Sequence, residues 1–222
     1  MKKRSFLTVL AVTLLCCGVM AFVDGMLKPG YGIKSVIKVS LFLLVPLVAS
    51  KLDRNVSYLS SLRPKKKGLL FAVFLGICVY GLILGAYFAT RGIFDFSKIA
   101  GSLTRDMGVT GENFLFVSLY ISFVNSFLEE FFFRGFVFNN LKSSGGRTVA
   151  YSASSLTFSL YHVAMMVGWF SPVLFALVVV GLATGGVIFN FLNEKTGTVY
   201  CSWLTHMFAN FAINTIGFML LS

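Results

Sequence analysis

The chain has 222 residues, 57% of them apolar and only 12% charged, and a formal net charge of +11. Soluble domains carry about 25% charged residues, so this composition excludes an ordinary soluble domain and predicts a membrane protein. The positive charge does not indicate nucleic-acid binding, because the basic residues fall in short loops between apolar runs and not on one polar face. Met1–Arg4 is basic, and Phe6–Val23 is an apolar run longer than a signal-peptide core with no small-x-small site closing it, which predicts a retained first membrane helix. Asp24–Lys34 reads as a turn-rich connector. Ser35–Ser50 reads as a short second span, with Lys38 near its start, where its head is expected to snorkel to the interface. Lys51–Lys67 sets six basic residues against the single Asp53, so it reads as a cytoplasmic loop that serves as a topology signal, with attraction for anionic lipid headgroups as the second reading. Gly68–Thr90 is the third expected span. Arg91–Glu112 is a charge-balanced connector, and Asn113–Phe138 is the fourth span. Asn139–Arg147 reads as a Gly/Ser-rich loop, Thr148–Val167 as the fifth span and Gly168–Pro172 as a tight connection. Val173–Leu192 is the sixth span, Asn193–Thr198 a loop and Val199–Leu221 the seventh.

On this arrangement twelve of the 19 Lys and Arg residues lie on the side of the N-terminus, five lie opposite, and Lys38 and Arg134 fall inside spans. The bias predicts a multi-pass protein of the cell membrane with a cytoplasmic N-terminus. The expected fold is an all-α polytopic membrane helix bundle of about seven transmembrane helices. Residues 1–112 supply N-terminal helices and the basic loop, and residues 113–222 form the segment richest in polar intramembrane groups. Gly181 and Gly185 form a GxxxG pattern that predicts close helix packing within the monomer. Cys16, Cys17, Cys78 and Cys201 lack the paired spacing of a zinc site or disulfide framework and read as small buried apolar residues.

The candidate site begins at Phe127–Phe138, FLEEFFFRGFVF. Each ionisable group at the depth of a span costs about 2.5–3.5 kcal/mol on insertion scales, so such groups mark a functional site by default. Glu130 and Arg134 are i and i+4 on a helix and form a pair. Glu129 lies about 100° round the helix and is free to face another cavity, with Asn125 at i−4 on its side. The only two histidines, His162 and His206, fall in the fifth and seventh spans, and Asn210 follows His206 at i+4. The expected depths overlap only roughly, so a shared site needs tilted or kinked helices or a water-filled cavity. A carboxylate and imidazoles in one low-dielectric pocket suit activation of water, binding of a divalent metal, or proton and ion relay. An Asn and a second His suit an oxyanion hole. An HExxH zinc motif is absent from the sequence.

Glu129-Glu130-x-x-x-Arg134 resembles the EExxxR motif of the CPBP family, which comprises the type II CAAX prenyl endopeptidases and the bacterial Abi, or bacteriocin self-immunity, proteins. Phe158-x-x-x-His162 is similar to its FxxxH motif, and His206-x-x-x-Asn210 to its HxxxN motif. The resemblance covers about residues 113–215. It implies an intramembrane endopeptidase acting on a membrane-anchored or lipid-modified, CAAX-like peptide. In that family Glu129 is implied to activate water, His162 to help hold it, and His206 with Asn210 to stabilise the oxyanion; Glu130 and Arg134 are supporting residues. No cofactor is required on the favoured form of this mechanism. Zinc is the alternative, with Glu129, His162 and His206 as its ligands. A non-enzymatic immunity or scaffold protein on the same fold is the second expectation. A transporter is disfavoured, because no inverted repeat is visible.

Overall fold

The computed structural model describes residues 2–221; Met1 and Ser222, at the ends of the two expected segments, lie outside the described residues. Among the described residues all regular structure is helical, arranged as α1 (Lys2–Phe22), α2 (Tyr31–Leu52), α3 (Leu69–Thr90), α4 (Ser97–Met107), α5 (Phe114–Gly145), α6 (Arg147–Met166), α7 (Pro172–Thr196) and α8 (Val199–Leu221). Six of them are long and apolar enough to cross a membrane. Their outer faces carry exposed apolar side chains such as Leu70, Leu82 and Phe116, as lipid-facing helices require. The protein is a polytopic helix bundle.

The expected fifth span is the exception. At 20 residues α6 is about 30 Å long, but Ser154, Ser155 and Ser159 thin its apolar character and it is not among the six. These serines are buried against protein, so α6 has no need to be apolar all round. Two boundaries also differ from expectation. α2 spans Tyr31–Leu52, longer than the 35–50 run. α5 continues to Gly145 through the stretch that reads as a loop. Asn140 accounts for this extension. Its amide donates to Phe136 O (2.7 Å) within the helix and to Ser57 O (2.6 Å), and its carbonyl accepts from Ser57 N (2.7 Å). The helix then stops at Gly146, whose φ of +93° other residues rarely adopt.

The same contacts draw the 53–62 loop into the bundle. Tyr58 is buried, stacks on Phe131 with ring centroids 4.1 Å apart, and donates its hydroxyl to Phe42 O. Irregular backbone at membrane depth is tolerated where protein covers it, and here α5 does so.

The basic stretches gather at one end. Glu194 receives Lys142 (2.8 Å), Arg147 (3.0 Å) and the Tyr151 hydroxyl (2.7 Å), while Thr198 donates to Ser61 O (3.3 Å) and Phe6 lies against Gly145. Asp24 and Lys34 pair at 2.7 Å at the far end of α1 and α2.

Helices in lipid gain little from apolar burial and associate by close packing and polar contacts. The bundle uses both. Asn190 bridges α7 to α6, accepting from Ser154 (3.0 Å) and donating to Ser155 (3.1 Å). Asn214 of α8 donates to Ser118 O (3.1 Å) and Ser122 Oγ (2.9 Å) of α5. The close glycine contact is not the GxxxG pair. Gly181 has open space around it, and Gly185 meets only Phe189 of its own helix. Gly186 instead sits against the Ser155 backbone, where an added Cβ would come within 2.9 Å of Cα. Cysteine placement also departs from expectation at one position, since Cys78 is exposed on α3 while Cys16 and Cys201 are buried.

Candidate active site

All eight residues of Phe131–Phe138 are buried, Arg134 included, so this part of α5 runs through the middle of the bundle. Phe132 stacks on Phe42 of α2 (4.2 Å) and Phe133 meets Phe158 of α6 (5.3 Å), so the aromatic spacing holds three helices round the charges. Two π-helical segments, Ile121–Asn125 and Phe131–Phe138, flank the single α turn Ser126–Glu130 that carries both carboxylates. Such wider turns inside helices recur at functional sites. They are the local irregularity that the mismatched depths called for.

Glu130 is fully enclosed. Its Oε1 lies 3.1 Å from Arg134 Nη1 and 3.0 Å from His206 Nδ1. The Arg134 guanidinium also lies over the rings of Phe158 (4.3 Å) and Phe189 (5.0 Å) and reaches Gly186 O at 3.4 Å. The carboxylate balances the charge of this buried cation and the aromatic faces lie beside it, while Arg134 Nε has no hydrogen-bond partner among the described residues.

Glu129 has different company. Its Oε1 accepts from Asn125 Nδ2 (3.0 Å) and from the ammonium of Lys38, which also bonds Asn125 Oδ1. Its Oε2 faces two imidazoles, with His162 Nε2 at 3.7 Å and His206 Nε2 at 3.8 Å. The Nδ1 of His162 lies 2.7 Å from Phe158 O, and that of His206 lies 3.0 Å from a Glu130 oxygen. Both partners accept, so each ring carries a hydrogen on Nδ1 and turns its Nε2 toward Glu129.

Five of the six residues singled out by sequence, Glu129, Glu130, Arg134, His162 and His206, therefore meet in one network. Asn210 does not join it by hydrogen bond: its amide donates to Ile121 O (3.3 Å), in the π segment above the carboxylates. The residue that sequence reasoning misplaced is Lys38. It does not snorkel; it is 5% exposed and its head is in the site, 4.9 Å from the Tyr161 ring. The signal that finds it is charge balance. Two carboxylates inside one span leave one negative charge after Arg134, and Lys38 is the remaining cation inside a span.

Two imidazole Nε2 atoms and a carboxylate oxygen are ligand types that zinc takes, and Phe158 O and Glu130 would orient the rings from behind. Against this, the Lys38 ammonium occupies the same carboxylate and opposes a divalent charge beside it. Among the described residues no group of three or more His, Cys, Asp and Glu is arranged to hold a metal ion. The donor set as folded does not fit a metal.

Residues 111–212, which hold every one of these groups except Lys38, match the family model described as type II CAAX prenyl endopeptidase Rce1-like. No curated protein and no solved structure matches the chain.

Proposed function

Residues 111–212 belong to the type II CAAX prenyl endopeptidase family, a family of membrane proteases, and from that premise we propose that the chain hydrolyses a peptide bond of a membrane-anchored or lipid-modified substrate, with Glu129 as the base that activates water. The observation that carries this reading is the set of acceptors round Glu129 Oε2. A carboxylate oxygen and two imidazole Nε2 atoms face one another at 3.7 and 3.8 Å, too far for direct hydrogen bonds. Water supplies two protons and spans such distances.

In this reading water donates one hydrogen to Glu129 Oε2 and the other to His162 Nε2, which turns an oxygen lone pair toward the scissile carbonyl carbon. As the C–O bond forms, Glu129 takes a proton from the water. The C–N bond then breaks, and the proton passes from Glu129 to the leaving amine. The negative charge on the carbonyl oxygen needs donors. Asn210 keeps one amide hydrogen beyond its bond to Ile121 O. His206 offers Nε2–H when protonated, while Glu130 holds its Nδ1–H. Lys38 and Arg134 balance Glu129 and Glu130; when Glu129 takes the proton its negative charge is replaced by that of the oxyanion, so the total charge of the site is unchanged. No metal is needed in this mechanism. Metal analysis of the purified protein, with chelator treatment of the active form, tests that: stoichiometric zinc whose removal abolishes cleavage would overturn the metal-free form.

The protein is set in the cell membrane with its basic end in the cytoplasm, an orientation supported by the gathering of the basic stretches at one end. Its partners are then the bilayer and a membrane-borne peptide, with no nucleic acid. The test is cleavage by protein reconstituted in liposomes together with a membrane-protein fraction and, separately, a farnesylated CAAX peptide. New termini are read by mass spectrometry. Wild-type protein is expected to generate termini that Glu129→Ala protein does not; equal cleavage by both would sink the proposal.

A further inference from the structure

The family match begins at residue 111, yet one group touching Glu129 lies far outside it. We infer that Lys38 of α2 is a positioning residue for Glu129, so that the catalytic centre is a composite of the matched segment and an N-terminal helix that the match does not include. This inference rests on the hydrolytic reading above.

Three observations carry it. The first is the closed triangle of Lys38, Asn125 and Glu129, in which Oε1 accepts from both an ammonium and an amide, and the ammonium also holds the amide oxygen. A carboxylate anchored through two bonds to one oxygen has its rotation fixed. That fixed rotation is what presents Oε2 to the two imidazoles. The second is charge. Glu130 is paired with Arg134, so without Lys38 the Glu129 carboxylate would be a buried, unpaired anion, which is strongly disfavoured. Lys38 therefore balances the charge of the base as well as orienting it. The third is support behind the lysine. Tyr161, adjacent to His162, places its ring 4.9 Å from the ammonium, and Phe42 lies 5.6 Å from it. Phe42 is stacked in turn on Phe132. The lysine head is thus enclosed by side chains of α2, α5 and α6, and the residue is buried.

The experiment uses the full chain in liposomes and counts the Glu129-dependent termini generated from the membrane-protein fraction. Lys38→Met is expected to lower their rate of appearance by at least about tenfold, since small misplacements of reacting groups cost up to about a hundredfold. Lys38→Arg, which restores the charge with a different head, is expected to recover part of the rate at a temperature where both variants are folded. A wild-type rate in folded Lys38→Met protein overturns the inference. A second measurement does not depend on activity. Thermal unfolding in detergent is compared for wild type, Lys38→Met, Glu129→Gln and the double variant. Lys38→Met is expected to melt below wild type, and adding Glu129→Gln to raise it again, because the stranded anion is removed; strictly additive losses overturn the inference. Should Glu129→Ala protein cleave as well as wild type, the hydrolytic reading fails, while the melting cycle still decides whether Lys38 holds Glu129.

Discussion

Glu129 and Glu130 carry the same group on consecutive residues of α5, and the fold gives them opposite surroundings. Glu130 has a partner on its own helix, Arg134 one turn on, and the pair is 0% exposed with aromatic rings round it. Glu129 draws its cation from another helix, 91 residues away in sequence, and leaves one oxygen turned toward two imidazoles. His206 touches both carboxylates, Glu130 through Nδ1 and Glu129 through Nε2. The comparison teaches that two neighbouring carboxylates of one span can be divided: one is paired with a cation of its own helix and sealed among rings, while the other is tied through one oxygen to a second helix and turns its other oxygen toward two imidazoles.

The largest expected effect breaks the comparison at its functional side. Glu129→Gln should lower the rate of cleavage about 10²–10⁴-fold, the usual worth of a general base, while the protein remains folded in detergent. Arg134→Met attacks the structural side. It strands a buried carboxylate and should cost about 3–5 kcal/mol, seen as a large fall in melting temperature or in yield of folded protein; Glu130→Gln added to it should recover part of that loss. A smaller effect sharpens the packing that holds both sides. Gly186→Ala places a methyl against the Ser155 backbone and should cost about 1–3 kcal/mol. Gly185→Ala, with open space outside its own helix, should change stability by no more than about 0.5 kcal/mol. A comparably small effect comes from a third carboxylate as reference. Glu194 has Lys142, Arg147 and Tyr151 around it, but at a solvated end of the bundle, and Glu194→Gln should cost at most about 1 kcal/mol.

What the sequence discloses follows the range of each interaction. The Glu130–Arg134 pair is local, set by the four-residue spacing of a helix, and is readable from the string EEFFFR. The bundle class is readable because lipid demands apolar faces. Lys38 was not placed, because a lysine near the start of an apolar run has an ordinary explanation at the interface, and its contact with Glu129 depends on how α2 and α5 pack. The end of α5 was missed for a related reason. NNLKSSGG has the composition of a loop, and the bonds of Asn140 to a distant stretch of backbone are not visible in it. Gly186 was passed over for Gly181 and Gly185 because a spacing motif records which residues share a face of α7 and not which face meets α6.

The Lys38–Glu129 contact also has a consequence for biogenesis. Chains are made from the N-terminus at about 5–20 residues per second, so α2 reaches the membrane roughly 5–20 s before the carboxylate 91 residues later exists. During that interval the ammonium of Lys38 has no partner on α5. An unpaired ammonium at the depth of a span costs about 2.5–3.5 kcal/mol on insertion scales, so α2 gains its full stability in the bundle only once α5 has been made. Completion of the site therefore waits on the synthesis of α5, and a chain halted before residue 129 would leave the Lys38 ammonium without this partner.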